Sequence, residues 1–128
     1  MKKLLLTGVA IVALSLFAKA QPRNGFTYSE IKTEFAGSKM ETKVDEDGIT
    51  YLILDGTDMF TMFYFDKDGE CYMSVIAPQT MGMLNGIVQM YNQKYVIISA
   101  TEWKMYNNLG HISITLNNNE GSSFFIWR

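Results

Sequence analysis

The pattern of hydrophobic and polar residues first predicts a helix, near the start of the chain after residue 25. Apolar side chains recur there at helical spacing, at Tyr28, Ile31 and Phe35. Thr27 and Glu30 have the spacing of a capping box, in which each side chain bonds a backbone N–H at the start of a helix. Gly37 can adopt the left-handed conformation that ends a helix. Together these signals predict a short helix at about residues 28–36.

From Met40 the pattern changes to the alternation that is typical of strands. The runs are separated by short turns rich in aspartate and glycine. Four strands are predicted, at residues 40–44, 49–54, 59–65 and 70–76. Because connections this short join antiparallel neighbours, the four strands should form a meander.

Pro78 ends this strand segment, and helical spacing returns after it. A second helix is predicted at residues 79–92. Strand patterns then resume at residues 94–99, 102–107, 111–116 and 123–128. Only Ala100 and Thr101 separate the first two of these runs, so one bent strand over residues 94–107 is the alternative.

The predicted fold class is α+β, with two short helices and an antiparallel sheet. The elements follow the order helix, meander, helix, meander, with three or four strands in each meander. This repeated order suggests an internal duplication at the level of structure. In element order alone, it resembles secreted enzyme-inhibitor proteins of the tandem-repeat kind and small secretion chaperones. The resemblance implies no binding residues, because a fold does not determine a function.

Several predicted strands carry large apolar residues on both faces, whereas a sheet with one wet face should alternate apolar and polar residues. The runs are 51–54, 59–65 and 124–127. Two short helices can cover only one face of the sheet. The other face must be covered by closure of the sheet, by a second copy of the protein, or by a partner. Trp103, Tyr106 and Trp127 are the candidate contacts for such a surface, because aromatic residues are enriched at interfaces.

The first 20 residues have the three parts of a cleavable signal peptide. Lys2 and Lys3 form a basic start, residues 4–17 are mostly apolar, and Ala18-Lys19-Ala20 fits the cleavage motif. The apolar run is shorter than the ~20 residues that span a bilayer. Cleavage is expected before Gln21, where a lipoprotein would need cysteine. We therefore expect a soluble, exported protein, periplasmic or secreted, with one domain at residues 21–128.

Removal of the leader makes the protein more acidic. It takes three lysines and leaves eight basic residues against thirteen acidic ones, a formal charge of about −5. This charge argues against a nucleic-acid partner, which requires clustered lysine and arginine. Cys71 is the only cysteine, so no disulfide can form within the chain.

Candidate chemistry is sparse. His111 is the only histidine, and no zinc-type spacing or nucleophile motif is present. A small secreted enzyme with a site built from Cys71, His111 and turn carboxylates is one alternative function. A soft-metal site is another, in which Met81, Met83, His111 and Trp103 would suit copper(I). Residues 66–70 resemble the beginning of a calcium loop, but they are better explained as a hairpin turn.

The sequence therefore favours an exported, non-enzymatic binding protein without a cofactor. Its recognition surface would be an apolar and aromatic sheet face of the inhibitor-like or chaperone-like kind. The expected partner is another protein, a small ligand or a second copy of the chain.

Overall fold

Two helices and eight strands are found in the part of the chain that the computed structural model describes, residues 22–119 and 121–128. The predicted leader at residues 1–20 lies outside it. The helices are α1 (Tyr28–Glu34) and α2 (Met81–Lys94). The strands are β1 (Met40–Val44), β2 (Thr50–Asp55), β3 (Met59–Phe65), β4 (Cys71–Pro78), β5 (Val96–Ser99), β6 (Glu102–Asn107), β7 (Gly110–Asn119) and β8 (Ser122–Trp127).

The eight strands form one antiparallel sheet, in the order β1-β2-β3-β4-β8-β7-β6-β5. The prediction of two helices with an antiparallel sheet is confirmed within the described residues. The last strand of each meander lies at the centre of the sheet, where β4 pairs with β8. This central pairing has three Cα partners, Ser74 with Trp127, Val75 with Ile126, and Ile76 with Phe125.

Residues 94–107 contain two strands, so the alternative of one bent strand is wrong. Val96 pairs with Lys104 and Ile97 pairs with Trp103, which makes β5 and β6 an antiparallel hairpin. Ala100 and Thr101 form the turn of this hairpin, since a loop of two residues is sufficient to join antiparallel strands.

The start of α1 follows directly from the local sequence. The Thr27 hydroxyl accepts a hydrogen bond from the Glu30 backbone N–H at 3.2 Å, and the Glu30 carboxylate accepts one from the Thr27 N–H at 3.0 Å. The predicted capping box is therefore confirmed. The helix ends at Glu34, two residues earlier than predicted, and Gly37 follows with a positive φ of 92°.

Both helices pack on the same face of the sheet and build two core clusters. The cluster under α1 contains Ile31, Phe35, Leu52, Leu54, Phe63, Phe65 and Cys71. The cluster under α2 contains Met59, Ile76, Ile87, Tyr91, Trp103, Ile114, Phe125 and Trp127. Each helix thus covers the meander that follows it, and α2 also reaches the centre of the sheet.

Tyr91 is the central residue of the α2 cluster. Its ring makes edge contacts with the rings of Trp103, Phe125 and Trp127, at centroid distances of 5.6, 5.1 and 5.5 Å. Its hydroxyl oxygen accepts a hydrogen bond from Nε1 of Trp127 at 3.0 Å. The indole N–H is therefore satisfied in a site from which water is excluded.

A buried polar group joins the N-terminal segment to the centre of the sheet. The Ser74 hydroxyl donates to the Asn24 side-chain oxygen at 2.7 Å and accepts from the Arg23 backbone N–H at 3.1 Å. The Asn24 amide nitrogen donates to the backbone oxygens of Tyr72 and Trp127. Residues 23 and 24 are therefore bonded to both central strands.

We expect stability to fall as the pH rises above about 10, the ordinary pKa of tyrosine. Burial raises the pKa of Tyr91, so the folded state favours its neutral phenol. The resulting stabilisation is complete below the unfolded pKa and is lost as the pH rises towards the folded one. The melting temperature, followed by circular dichroism from about pH 8 to about pH 11, measures this effect.

The matched variant is Tyr91→Phe, which keeps the ring but has no ionisable hydroxyl. It should be less stable at neutral pH, because Nε1 of Trp127 loses its acceptor. The melting temperature of this variant should also fall less at alkaline pH. Part of the fall should remain, because burial also raises the pKa values of Tyr64 and Tyr95. If its melting temperature fell with pH as steeply as that of the wild type, the loss of stability at alkaline pH could not be assigned to Tyr91.

Candidate functional site

The face of the sheet opposite the helices carries a continuous apolar surface. Side chains alternate between the two faces along each strand, so the neighbours of the buried core residues point to this second face. We call it the open face. Its large apolar residues are Tyr51, Ile53, Phe60, Met62, Tyr64, Met73, Val75, Phe124 and Ile126.

The apolar surface crosses four adjacent strands. The strand register places Ile53 beside Met62, Met62 beside Val75, and Val75 beside Ile126. Val75 is buried, while the other three are half-buried. Phe60, near one end of the same face, is 36% exposed. Both described helices pack on the core residues of the other face, so neither covers this row.

Two stacked tyrosines extend the row towards one end of β2 and β3. The rings of Tyr51 and Tyr64 lie 5.0 Å apart at an interplanar angle of 18°. The Tyr64 hydroxyl points towards the Met62 sulfur, at 4.0 Å. Burial raises the pKa of Tyr64, and the neighbouring Tyr51 and the Asp45 carboxylate raise it further. The Tyr64 phenol therefore stays neutral at physiological pH, and it offers a hydroxyl group beside the apolar surface.

Charged and polar side chains border the apolar row on both sides. On β1 the open face carries Glu41 and Lys43, whose side-chain charges lie 3.9 Å apart. On β6 it carries Glu102 and Lys104, beyond the polar Thr115 of β7. An apolar centre with a polar rim is the usual composition of a protein–protein interface.

Two acidic turns lie at the Tyr51 and Tyr64 end of the open face. The Asp45 carboxylate accepts hydrogen bonds from the backbone N–H groups of Asp47 and Ile49, both at 2.9 Å. Asp66 makes the same contacts in the turn between β3 and β4. The hairpin turn predicted at residues 66–70 is confirmed. Both turns lie at the same end of the antiparallel sheet, which is consequently acidic.

The structure contradicts the exposure expected for two of the three predicted contact residues. Trp103 and Trp127 are 0% and 1% exposed and lie beneath α2. Nε1 of Trp103 donates to the Asn92 side chain at 2.8 Å, which satisfies it inside the core. Tyr106 is 60% exposed, on the open face beyond the polar rim, with its ring 5.7 Å from that of His111.

Cys71 and His111 are not brought together. Cys71 is buried in the cluster beneath α1, and its thiol donates to the Met73 carbonyl oxygen at 3.4 Å. Burial raises the pKa of this thiol, which makes it a poor nucleophile. His111 is exposed on the opposite face of the sheet, with β8 between its strand and that of Cys71. The two groups therefore cannot act as a nucleophile and its base.

The side chains considered for a soft metal are also separated. Met81 is exposed at the beginning of α2 and Met83 is half-buried beside the α2 core cluster, on the helix side of the sheet. His111 lies on the open face, and Trp103 is in the core. Among the described residues, no group of three or more histidine, cysteine, aspartate or glutamate side chains could hold a metal ion.

A cleft of about 390 Å³ lies on the helix side, between the end of α1 and the beginning of α2. Its apolar lining is formed by Phe35, Leu54, Met59 and Met83. Lys39 and Asp55 stand at its edge, with the lysine Nζ 3.3 Å from a carboxylate oxygen. The rest of the lining includes hydroxyl groups and the carboxylates of Asp55 and Asp58, but neither histidine nor cysteine.

Sequence reasoning found the two-faced apolar strands but did not identify the open-face row. The signal was present in the alternation along β2 and β3. Leu52 and Phe63 point to one face of the sheet, and Ile53 and Met62 point to the other. Both sets are equally apolar, so only the position of the helices decides which set is buried.

Comparison with known proteins finds no matching family model and no significant similarity to a curated protein or to a solved structure. The described helices are all too short or too polar to cross a membrane.

Proposed function

We propose that the protein is an exported, non-enzymatic recognition protein whose open face binds another protein. The observation that carries this proposal is the apolar row across β2, β3, β4 and β8, on the face that neither helix covers. A large apolar patch with a polar rim is typical of an interaction site on a soluble domain.

The composition of the row favours a protein partner over a small ligand. Methionine and aromatic residues make up six of the nine large apolar residues of the open face, and these residue types adapt to or anchor partner side chains at interfaces. Small-molecule sites are usually concave. The cleft between the end of α1 and the beginning of α2 lies on the helix side of the sheet, away from the row.

The charge around the face defines the partner further. The acidic turns containing Asp45 and Asp66 border the end where Tyr51 and Tyr64 lie. A partner that places apolar side chains on the row would bring its own neighbouring groups close to these carboxylates. Complementary partners therefore carry basic residues beside an apolar segment.

Export and duplication complete the proposal. The pattern of residues 1–20 supports delivery across the membrane, with the mature chain acting in the periplasm or outside the cell. We also infer that the chain is a structural duplication, because each half consists of a helix followed by a four-stranded meander. Because the helices of both halves pack on the same face of the sheet, the open face is available for an inhibitor-like or chaperone-like role.

Site-specific photo-crosslinking tests the proposal. A benzophenone amino acid replaces Phe60, an aromatic residue of the open face that is 36% exposed. The matched control replaces Phe26, which is 41% exposed and precedes α1. We expect a discrete adduct with another protein in the exported fraction from position 60 only.

Two further results separate specific binding from adventitious capture. The adduct should disappear when Tyr51→Ser is added to the position-60 variant, and excess unlabelled protein should compete with it. Tyr106→Ser, a matched change outside the apolar row, should leave it intact. Equal adducts from positions 60 and 26, or the absence of any heterologous adduct, would overturn the proposal.

A further inference from the structure

An unprotected apolar strand forms one outer edge of the sheet. Within the described residues, β5 pairs on one side only, with β6. All four of its residues are exposed, and Val96, Ile97 and Ile98 retain 50%, 55% and 47% of their accessible surface. Three consecutive β-branched apolar residues at a free sheet edge are unusual, because such an edge is a template for another strand.

The opposite edge shows how this sheet protects a strand that remains unpaired. Glu41 and Lys43 place charges along β1, and Lys39 immediately precedes the strand. Charged side chains on an edge oppose the addition of another strand. The sequence between Lys94 and Glu102 contains no charged residue, so β5 lacks this protection.

We propose that β5 pairs with the β5 of a second copy of the chain, in antiparallel orientation. The backbone N–H and C=O groups along the outer edge of β5 can form hydrogen bonds with an added extended strand. A two-fold axis between two copies of the chain brings the β5 of one copy against the β5 of the other. Isoleucine and valine then face isoleucine and valine.

The charges at the two ends of the strand select the antiparallel orientation. Lys94 precedes β5 and Glu102 follows it. In an antiparallel pair the beginning of one strand lies near the end of the other, so each lysine approaches the partner copy's glutamate. A parallel pair would bring the two lysines together. The charge pattern is therefore complementary to itself only under two-fold antiparallel pairing.

The size of the edge sets the strength of the association. β5 has only four residues, and its pairing with β6 shifts register between Ile97 and Ser99. An interface built on so short a strand falls below the ~1,200 Å² of total buried surface that stable complexes reach. We therefore expect a reversible dimer that depends on concentration.

Sedimentation equilibrium of the mature chain, from about 1 µM to about 1 mM, tests the pairing. The wild-type average mass should rise from that of one copy towards that of two. Ile97→Lys should weaken the association at least ~10-fold, because a charge is then placed at the centre of the new strand pair. The matched control is Val44→Lys, which changes a 63% exposed residue of β1 and should have no effect.

A charge exchange tests the orientation. Lys94→Glu alone should weaken association, and the double variant Lys94→Glu with Glu102→Lys should restore it. A monomer at every concentration, equal effects of the two lysine variants, or pairing of β5 only with a strand from another protein would each overturn the proposal. The crosslink from position 60 does not involve β5 and should survive Ile97→Lys, so this proposal and the proposed function can fail separately.

Discussion

Replacing Trp127 by alanine should lower the free energy of unfolding by about 3–5 kcal/mol. The indole is 1% exposed, contacts the rings of Tyr91 and Tyr95 at 5.5 and 5.3 Å, and lies on a central strand. Its removal leaves a large cavity and removes the N–H that donates a hydrogen bond to the Tyr91 hydroxyl oxygen. Urea denaturation at neutral pH, with the midpoint and the slope both fitted, measures the loss.

The companion variant is Tyr106→Ala, at the one exposed member of the three residues that the sequence suggested as contacts. Its side chain lies on the surface, so the free energy of unfolding should change by less than about 0.5 kcal/mol. Similar losses in the two variants would mean that the tryptophan is not part of the core as described.

Replacing Phe63 by alanine should have an effect of the same size, about 3–5 kcal/mol, in the other core cluster. Phe63 is fully buried beneath α1, with its ring stacked on that of Phe35 at 6.1 Å. The two clusters share one continuous sheet, so the loss should appear as a shift of a single unfolding transition. Circular dichroism and tryptophan fluorescence, recorded on the same samples, should give coincident curves.

Phe60→Ala is the matched control, because it removes the same side chain from the same strand but from the open face. Phe60 is 36% exposed, so the cost should be clearly smaller than that of Phe63→Ala. If the two losses were equal, the helices would not be covering the face that Phe63 occupies.

Local signals in the sequence predicted the local structure well. The capping box at Thr27 and Glu30 fixed the start of α1, and the aspartate-glycine turns fixed the hairpins of the first meander. These features are set by neighbouring residues, through hydrogen bonds that span two to four positions. The bounds of β1, β3 and β6 consequently coincide with the predicted ones.

Long-range features could not be predicted in the same way. Nothing local indicates that β4 pairs with β8, because the contact of Val75 with Ile126 joins residues 51 positions apart. The tryptophans were misplaced for a related reason. An alternating strand shows which residues share a face, but the helix that covers one face is specified elsewhere in the sequence. Tyr91 of α2, which covers Trp103 and Trp127, is 12 and 36 residues away from them.

The position of β8 in the middle of the sheet has a consequence for how the chain matures. A polypeptide that emerges amino end first has β4 available early, but β4 keeps an unpaired edge until residues 122–127 have also emerged. Contacts between distant parts of a chain form late, because they must first overcome the entropy of closing a long loop. Nascent chains should therefore stay incompletely folded until synthesis has passed this strand.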